Sequence, residues 1–342
     1  MPMLKTAAIA VALLACCLTS GRCAPEKTIF AHFYYWYPIN AGIVTHHAPE
    51  GHFDRDDVSW WKGEMRNAHY AGIDVLALMY WDVHSYNPAA LEVMLQAVRE
   101  MDAAGEPHPK VCMHLDGIEH VANVLDTRPV TTCDLTDPAS QDAVADAFVN
   151  FFSFFKEREM LDLCFRHEGK LVAFVYRPEY RAYTSRIDDS AAEVWREGLR
   201  DELDEELYLV LETAYATAQW APTQTDLHCT TADNYFRWDA ALAGALMEAR
   251  GDFPIATIGP GFDPRGQDST STRIRHRRQG FTFRNDFRKA ISSDAPWLVI
   301  ETFNFFEEGT DITETQEFGR QYLDIARKYS ARFKGRPEIA PH

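Results

Sequence analysis

Glu301, Glu307 and Glu308 lie within one short stretch, and three carboxylates at that spacing are the residues of this chain best suited to acid/base chemistry. They end the segment Trp297-Leu-Val-Ile-Glu301-Thr-Phe-Asn304-Phe305-Phe306-Glu307-Glu308-Gly309, where a run rich in β-branched and aromatic residues empties into acids, an amide and a glycine. A buried strand delivers side chains to the mouth of a pocket in this way. Like charges held together there shift one another's pKa values, which proton transfer can use. The plainer alternative is a solvated loop that caps the following helix, because carboxylates near a helix start favour its dipole.

The elements that must position such acids follow from periodicity. Short apolar strand patterns alternate with amphipathic helix patterns, the signature of an α/β fold with a parallel sheet. Strands are expected at Thr28–Tyr35, Ile73–Tyr80, Lys110–Leu115, Leu171–Tyr176, Leu207–Leu211, near Leu227–Ala232, at Ile255–Ile258 and at Trp297–Thr302. Helices are expected at Trp60–Ala71, Pro88–Ala104, Pro138–Glu159, Ser190–Glu206, Arg237–Ala249 and Thr315–Phe333. Within the third of these, Val144, Phe148, Phe151, Phe152 and Phe155 recur at helical spacing and read as core. Eight strand patterns in 342 residues fit a single (β/α)8 TIM barrel. An open doubly wound sheet is disfavoured, because no Gly-rich dinucleotide fingerprint follows the first strand.

Composition narrows the function classes. With 34 Lys and Arg against 51 Asp and Glu, the formal charge of −17 opposes binding to a nucleic-acid backbone. Residues 1–23 read as an export signal, with Lys5 as its positive end, an apolar stretch from Ala7 to Ala15 with Leu18, and cleavage near Cys23. Leu13-Leu-Ala-Cys16 also resembles a lipoprotein box, so a membrane tether through a lipidated Cys16 is the alternative to cleavage. Either way the chain is expected to be secreted, periplasmic or lipid-anchored at the cell envelope. Residues 24–342 contain no Pro/Gly/Ser-rich linker and read as one domain. Cys112, Cys133, Cys164 and Cys229 show no paired metal spacing and are expected as buried free thiols. The basic run Arg273-Ile-Arg275-His-Arg277-Arg278 could grip an anion, but reads first as a solvated loop.

If the barrel is right, functional side chains sit at the strand C-termini. Those ends carry His32, Tyr35 and Trp36, then Trp81 and Asp82, His114 and Asp116, Tyr176 and Arg177, Glu212, and finally Glu301, Asn304, Glu307 and Glu308. Aromatic rings offer apolar faces beside polar donors, and carboxylates accept bonds from hydroxyl groups, so the lining suits an oligosaccharide or polysaccharide. Metal hydrolases on this barrel carry an H-x-H after the first strand, whereas His32 is followed by Phe33 and Tyr34. His114 with Asp116, or His46 with His47, are the remaining ligand candidates, and no metal or other cofactor is expected. No G-x-S-x-G elbow appears and the cysteines have no evident His partner, so nucleophilic triads are unsupported.

Phe33-Tyr-Tyr-Trp-Tyr37 is similar to the Tyr-Tyr-Pro-Trp-Tyr opening of glycoside hydrolase family 99, without its Pro, and Asn304-Phe-Phe-Glu-Glu308-Gly-Thr310 is similar to that family's Asn-Glu-Trp-His-Glu-Gly-Thr. The chain resembles still more the bacterial family-99-like proteins of poorly defined function, through Ala71-Gly-Ile-Asp74, Gly259-Pro-Gly-Phe-Asp263, Glu301-Thr-Phe-Asn304 and Glu317-Phe-Gly-Arg320-Gln-Tyr322. The resemblance implies a TIM barrel and an endo-acting, retaining α-mannosidase or mannanase that works through two Glu without a metal. Glu308 then matches the general acid/base, and Tyr35 a tyrosine of the site. The other family Glu falls on Phe305, which can neither take a proton nor orient a hydroxyl. Glu301, Glu307 or Glu212 would have to stand in for it. The alternative is a non-catalytic barrel that binds glycans. In the catalytic case Glu308 protonates the leaving oxygen with Glu301 or Glu212 opposite, Asp82 and Asp116 hold hydroxyls, Arg177 or Asn304 orients the acids, and Trp36 and Trp81 stack on sugar rings.

Overall fold

The computed structural model describes residues 25–35, 44–49, 54–80, 86–125, 134–176, 187–213 and 229–337. The leader, Cys16, Cys133, Trp36, Trp81, Asp82 and Arg177 lie outside the described residues. The strands are β1 (Thr28–Phe33), β2 (Val75–Tyr80), β3 (Lys110–Asp116), β4 (Arg166–His167), β5 (Lys170–Tyr176), β6 (Leu207–Glu212), β7 (Asn234–Phe236), β8 (Leu246–Glu248), β9 (Ile255–Ile258) and β10 (Trp297–Ile300). They form one sheet in the order β7-β6-β5-β3-β2-β1-β10-β9-β8, with β4 as a hairpin partner of β5. The ladders are parallel except for the short β4–β5 and β8–β9 pairs. Eight parallel strands thus curl into a nearly closed TIM barrel.

Helices cover the outside: α1 (Val58–Tyr70), α2 (Tyr86–Ala103), α3 (Gly117–Val124), α4 (Pro138–Lys156), α5 (Asp189–Leu203), the single turn α6 (Ala240–Ala243), α7 (Phe281–Ile291) and α8 (Gln321–Phe333). Carboxylates start three of them. Asp57 accepts from Ser59 N, Asp137 from Ser140 N just ahead of Pro138, and Asp188 from Ser190 N, each worth about 1 kcal/mol of helix stability.

The strands read as almost unbroken apolar runs because both of their faces are covered. Alternation along each strand divides those runs between two cores. Ile29, Ala31, Leu76, Met113, Ala173, Leu209 and Leu298 pack outward under the helices, where the α4 stripe of Val144, Phe148, Phe151, Phe152 and Phe155 is wholly buried. Phe30, Ala77, Cys112, Phe174, Val210, Trp297 and Val299 fill the barrel interior. Cys112, Cys164 and Cys229 are buried free thiols, and burial raises all three.

Three expected elements are corrected. The sixth barrel strand lies at Asn234–Phe236, not near Leu227–Ala232, because the backbone N–H groups of Thr230 and Thr231 are taken by the Asp189 carboxylate instead of a ladder. The helix expected over Arg237–Ala249 is one turn only. Gly244 at φ +102° ends it, and Leu246–Glu248 then folds back antiparallel on β9. The last helix also begins later, at Gln321, after a turn that pairs Thr315 with Gly319. Helix α7 carried no expectation.

The barrel seam depends on a glycine. Asn234 bridges Gly251, whose φ is +87° and whose added Cβ would lie 2.5 Å from Asn234 Oδ1 and 2.6 Å from Asn234 Cα. Gly251→Val should therefore cost about 2–4 kcal/mol, from left-handed strain together with forced separation at the seam. A denaturant midpoint equal to that of the parent protein would contradict this account of the closure.

Candidate active site

The segment after β10 is fixed residue by residue. Glu301 N–H donates to Ile258 O (2.8 Å), Phe303 N–H to His32 O (2.8 Å), and the N–H groups of Ile312 and Thr313 return to Phe303 O (2.8 and 2.9 Å). The Asn304 amide accepts from Tyr34 N–H (2.8 Å) and donates to Tyr34 O (2.7 Å). Asn304 therefore aligns the end of β1 with this loop and has its amide committed there. Asp263 N–H donates to Glu308 O (2.8 Å), and Thr45 Oγ1 donates to Asp263 O (2.7 Å). The alternative of a solvated loop capping the next helix is overturned: Glu301 is 2 % exposed, and helix α8 starts ten residues beyond Asp311.

Three carboxylates meet at this mouth. Glu301 Oε2 accepts from Ala240 N–H (2.8 Å). Burial pushes its carboxyl well up, and the charges of Asp239 and Glu308 push it further. Asp239 is buried at φ +78°, at the start of α6. The close fit of α6 under Glu301 requires Gly259, because a Cβ there would lie 2.4 Å from Ala241 Cα. The nearest cation to this group among the described residues is Arg273, with Nη2 3.8 Å from Asp239 Oδ2. Glu308 is half-buried beside the other two.

Across the barrel, Asp116 and Tyr176 end neighbouring strands in register, and Glu212 ends the next. All three are buried. The Trp238 ring joins the two sides, 4.7 Å from the Tyr176 ring and 4.7 Å from the His32 ring. Beneath it His32 and His114 meet edge to face at 3.9 Å, with no exposure and with ring nitrogens that bond no described residue. Burial holds His114 down at about 3, and burial with the neighbouring His114 lowers His32. Both are neutral at pH 7. His32, expected at the ligand, lies below the floor rather than on it.

Other expected residues take different places. Tyr35 turns into the wall, its ring against Trp61 (5.8 Å) and its hydroxyl on Asn87 Oδ1 (2.9 Å). Tyr34 is the ring that meets the acid loop, stacked on Phe305 at 4.4 Å and 17°. Glu307 is tied to the Gln267 amide, and burial raises its carboxyl. His47 pairs with Glu317 (2.7 Å) and His46 with Asp311 (2.7 Å). Trp238 and Asp239 were missed. They stand just past a barrel strand, the place where site residues belong, but the misplaced sixth strand put them inside an expected helix.

Arg275 and Arg277 of the basic run are structural, whereas His276 and Arg278 are exposed. Arg275 pairs with Asp286 (2.8 Å) and donates to Ala240 O and Ala241 O. Arg277 donates to Gly309 O (2.9 Å) and Asp311 O (2.7 Å), pairs with the Asp311 carboxylate (3.2 Å), and stacks over Tyr322 (4.4 Å). Burial alone would raise Asp311, but Arg277 and His46 hold it below its ordinary value. A carboxylate lowered in the folded state stabilises fully above about pH 4, and that contribution is lost as pH falls through the folded value. Asp311→Asn, which leaves Arg277 buried without its counter-charge, should cost about 3–5 kcal/mol at pH 7 and flatten the acid limb of the stability profile. An unchanged unfolding midpoint at pH 7 would remove this clamp from the account.

The arrangement is that of known barrels. The GH99 endo-alpha-mannosidase from Bacteroides thetaiotaomicron, in complex with BIS-TRIS-Propane, aligns with a TM-score of 0.63 at 15% identity over 91% of this chain and 98% of its own. A second structure of that enzyme gives 0.61 at 15% identity over 91% and 98%. A glycoside hydrolase-like protein gives 0.61 at 18% identity over 90% of this chain and 95% of its own. At these identities the likeness shows a shared fold, over nearly the full length of each chain. No curated protein matches the sequence. The family model described as Domain of unknown function (DUF5010) matches residues 31–339, and the chain belongs to that family.

Proposed function

We propose that this chain is a glycoside hydrolase, secreted or tethered at the envelope, that acts on α-linked, mannan-like glycans by carboxylate acid/base chemistry. The observation that carries the reading is the grouping of Glu301, Asp239 and Glu308 at the C-terminal mouth of a barrel whose floor is the Trp238 and Tyr176 rings. The mannosidase fold likeness supports it. Glu308, the more accessible acid, protonates the leaving glycosidic oxygen and afterwards takes a proton from the attacking hydroxyl or water. Glu301 stands in for the carboxyl absent at Phe305. Ionising Glu301 and Glu308 together is disfavoured by burial and by their repulsion, so the pair holds a proton above the ordinary carboxylate range. Glu212 and Asp116, on the opposite wall, hold sugar hydroxyls or face the anomeric carbon.

One observation favours the second reading, a barrel that binds glycans without cutting them. The Phe305 ring packs flat on Tyr34 where a family acid would stand. Incubation with α-mannan, scored for new reducing ends, separates the two. The hydrolase reading expects new ends, and a fall of about 10²–10⁴-fold in turnover for Glu308→Gln with the unfolding midpoint unchanged. Retention of mannan without cleavage by the parent protein, or full turnover in the variant, overturns it.

A further inference from the structure

We propose that a cavity on the far side of Arg275 from the carboxylates is a second binding site, and that it takes an anionic saccharide. The cavity measures about 280 Å³ and is lined chiefly by Arg275, His276, Arg278, Phe281, Thr282 and Asn285. That is the small end of ligand pockets, suited to one sugar residue rather than a long chain.

Its chemistry differs from that of the rest of the molecule. In a chain of net charge −17, the lining residues include two arginines and a histidine and no Asp or Glu. Arg275 is already neutralised by Asp286, which is buried behind it. Thr282 spends its hydroxyl on His276 O (2.6 Å) and so fixes the loop. Arg278, the His276 ring and the Asn285 amide make no hydrogen bond or ion pair to any described residue, and all three residues line the cavity. Arg278 is exposed and has no counter-charge among the described residues, and a guanidinium so placed beside two further polar groups suits an oxyanion, as a carboxylate or sulfate ester supplies. Phe281 sets the rest of the ligand. Its ring is 50 % exposed at the rim and stacks on no described aromatic, which leaves an apolar face for the C–H side of a pyranose.

Arg275 stands between the two sites, since its guanidinium bonds the carbonyls of Ala240 and Ala241 beside the Glu301 donor and the residue also lines the cavity. The proposal therefore does not depend on hydrolysis at Glu308. Calorimetric titration of the full chain with oligogalacturonate, sulfated dextran oligosaccharide, neutral manno-oligosaccharide and inorganic sulfate tests it. At least one of the two anionic saccharides should bind, and which one binds identifies the oxyanion. Arg278→Glu should weaken that binding at least about tenfold, Arg278→Gln and Phe281→Ala should weaken it in the same direction, and inorganic sulfate should bind at least about tenfold more weakly than the saccharide. Glu308→Gln should leave the affinity unchanged. The proposal is overturned if neither anionic saccharide binds, if folded Arg278 variants bind as the parent does, if inorganic sulfate binds as tightly, or if Glu308→Gln abolishes binding.

Discussion

Holding Glu301 out of water beside Asp239 and Glu308 is the constraint on which the rest of the molecule turns. A carboxylate in such a place is costly unless it keeps its proton or finds strong donors. Glu301 takes its donors from the α6 backbone, Ala240 N–H at 2.8 Å foremost, and the Arg273 guanidinium approaches Asp239 rather than Glu301. Burial and like charge therefore both act to keep the proton on Glu301. In the proposed reading the proton held on Glu301 passes to the more accessible Glu308, which arms Glu308 for the leaving oxygen and leaves Glu301 ionised for its own part.

The scaffold is arranged to impose that crowding. Parallel strands bring Glu301, Glu212 and Asp116 to the same end of the barrel from three distant parts of the chain. Gly259 lets the α6 turn press against the end of β9, which sets both the donor and the Asp239 charge. The loop that carries Glu308 would relax under repulsion if it were free. It is instead held from behind by Arg277 and His46 on Asp311, from the side by Asn304 on Tyr34, and from beneath by Phe303 on His32. Buried ion pairs of this kind add little net stability but strongly penalise any arrangement in which one partner is lost.

Most of the barrel was legible because its strands are long apolar runs and its helices show clear periodicity with capping acids. The acid loop was legible for a related reason, since a buried strand that opens onto a pocket leaves an apolar run ending in carboxylates. What stayed hidden was short or non-local. Strand Asn234–Phe236 has three residues, too few for any period, and displacing it concealed Trp238 and Asp239. The fates of Arg275 and Arg277 depend on partners in distant segments, which a basic run in sequence does not reveal. Strand alternation sends His32 inward with Phe30, but the collar of His114, Trp238 and Phe236 that seals it off comes from other strands. Tyr34 rather than Tyr35 meets the acid loop, a difference of a single residue just past the end of β1.

The protonation state of Glu301 tests the central claim most directly. Infrared difference spectra between the parent protein and Glu301→Gln, recorded across pH 5–8, isolate that one carboxyl. A neutral carboxyl band that persists above the ordinary carboxylate range and is absent from the variant is the expected result. A Glu301 that is already ionised at pH 5 would mean that the three acids are not crowded as described, and the proton-sharing site would have to be abandoned.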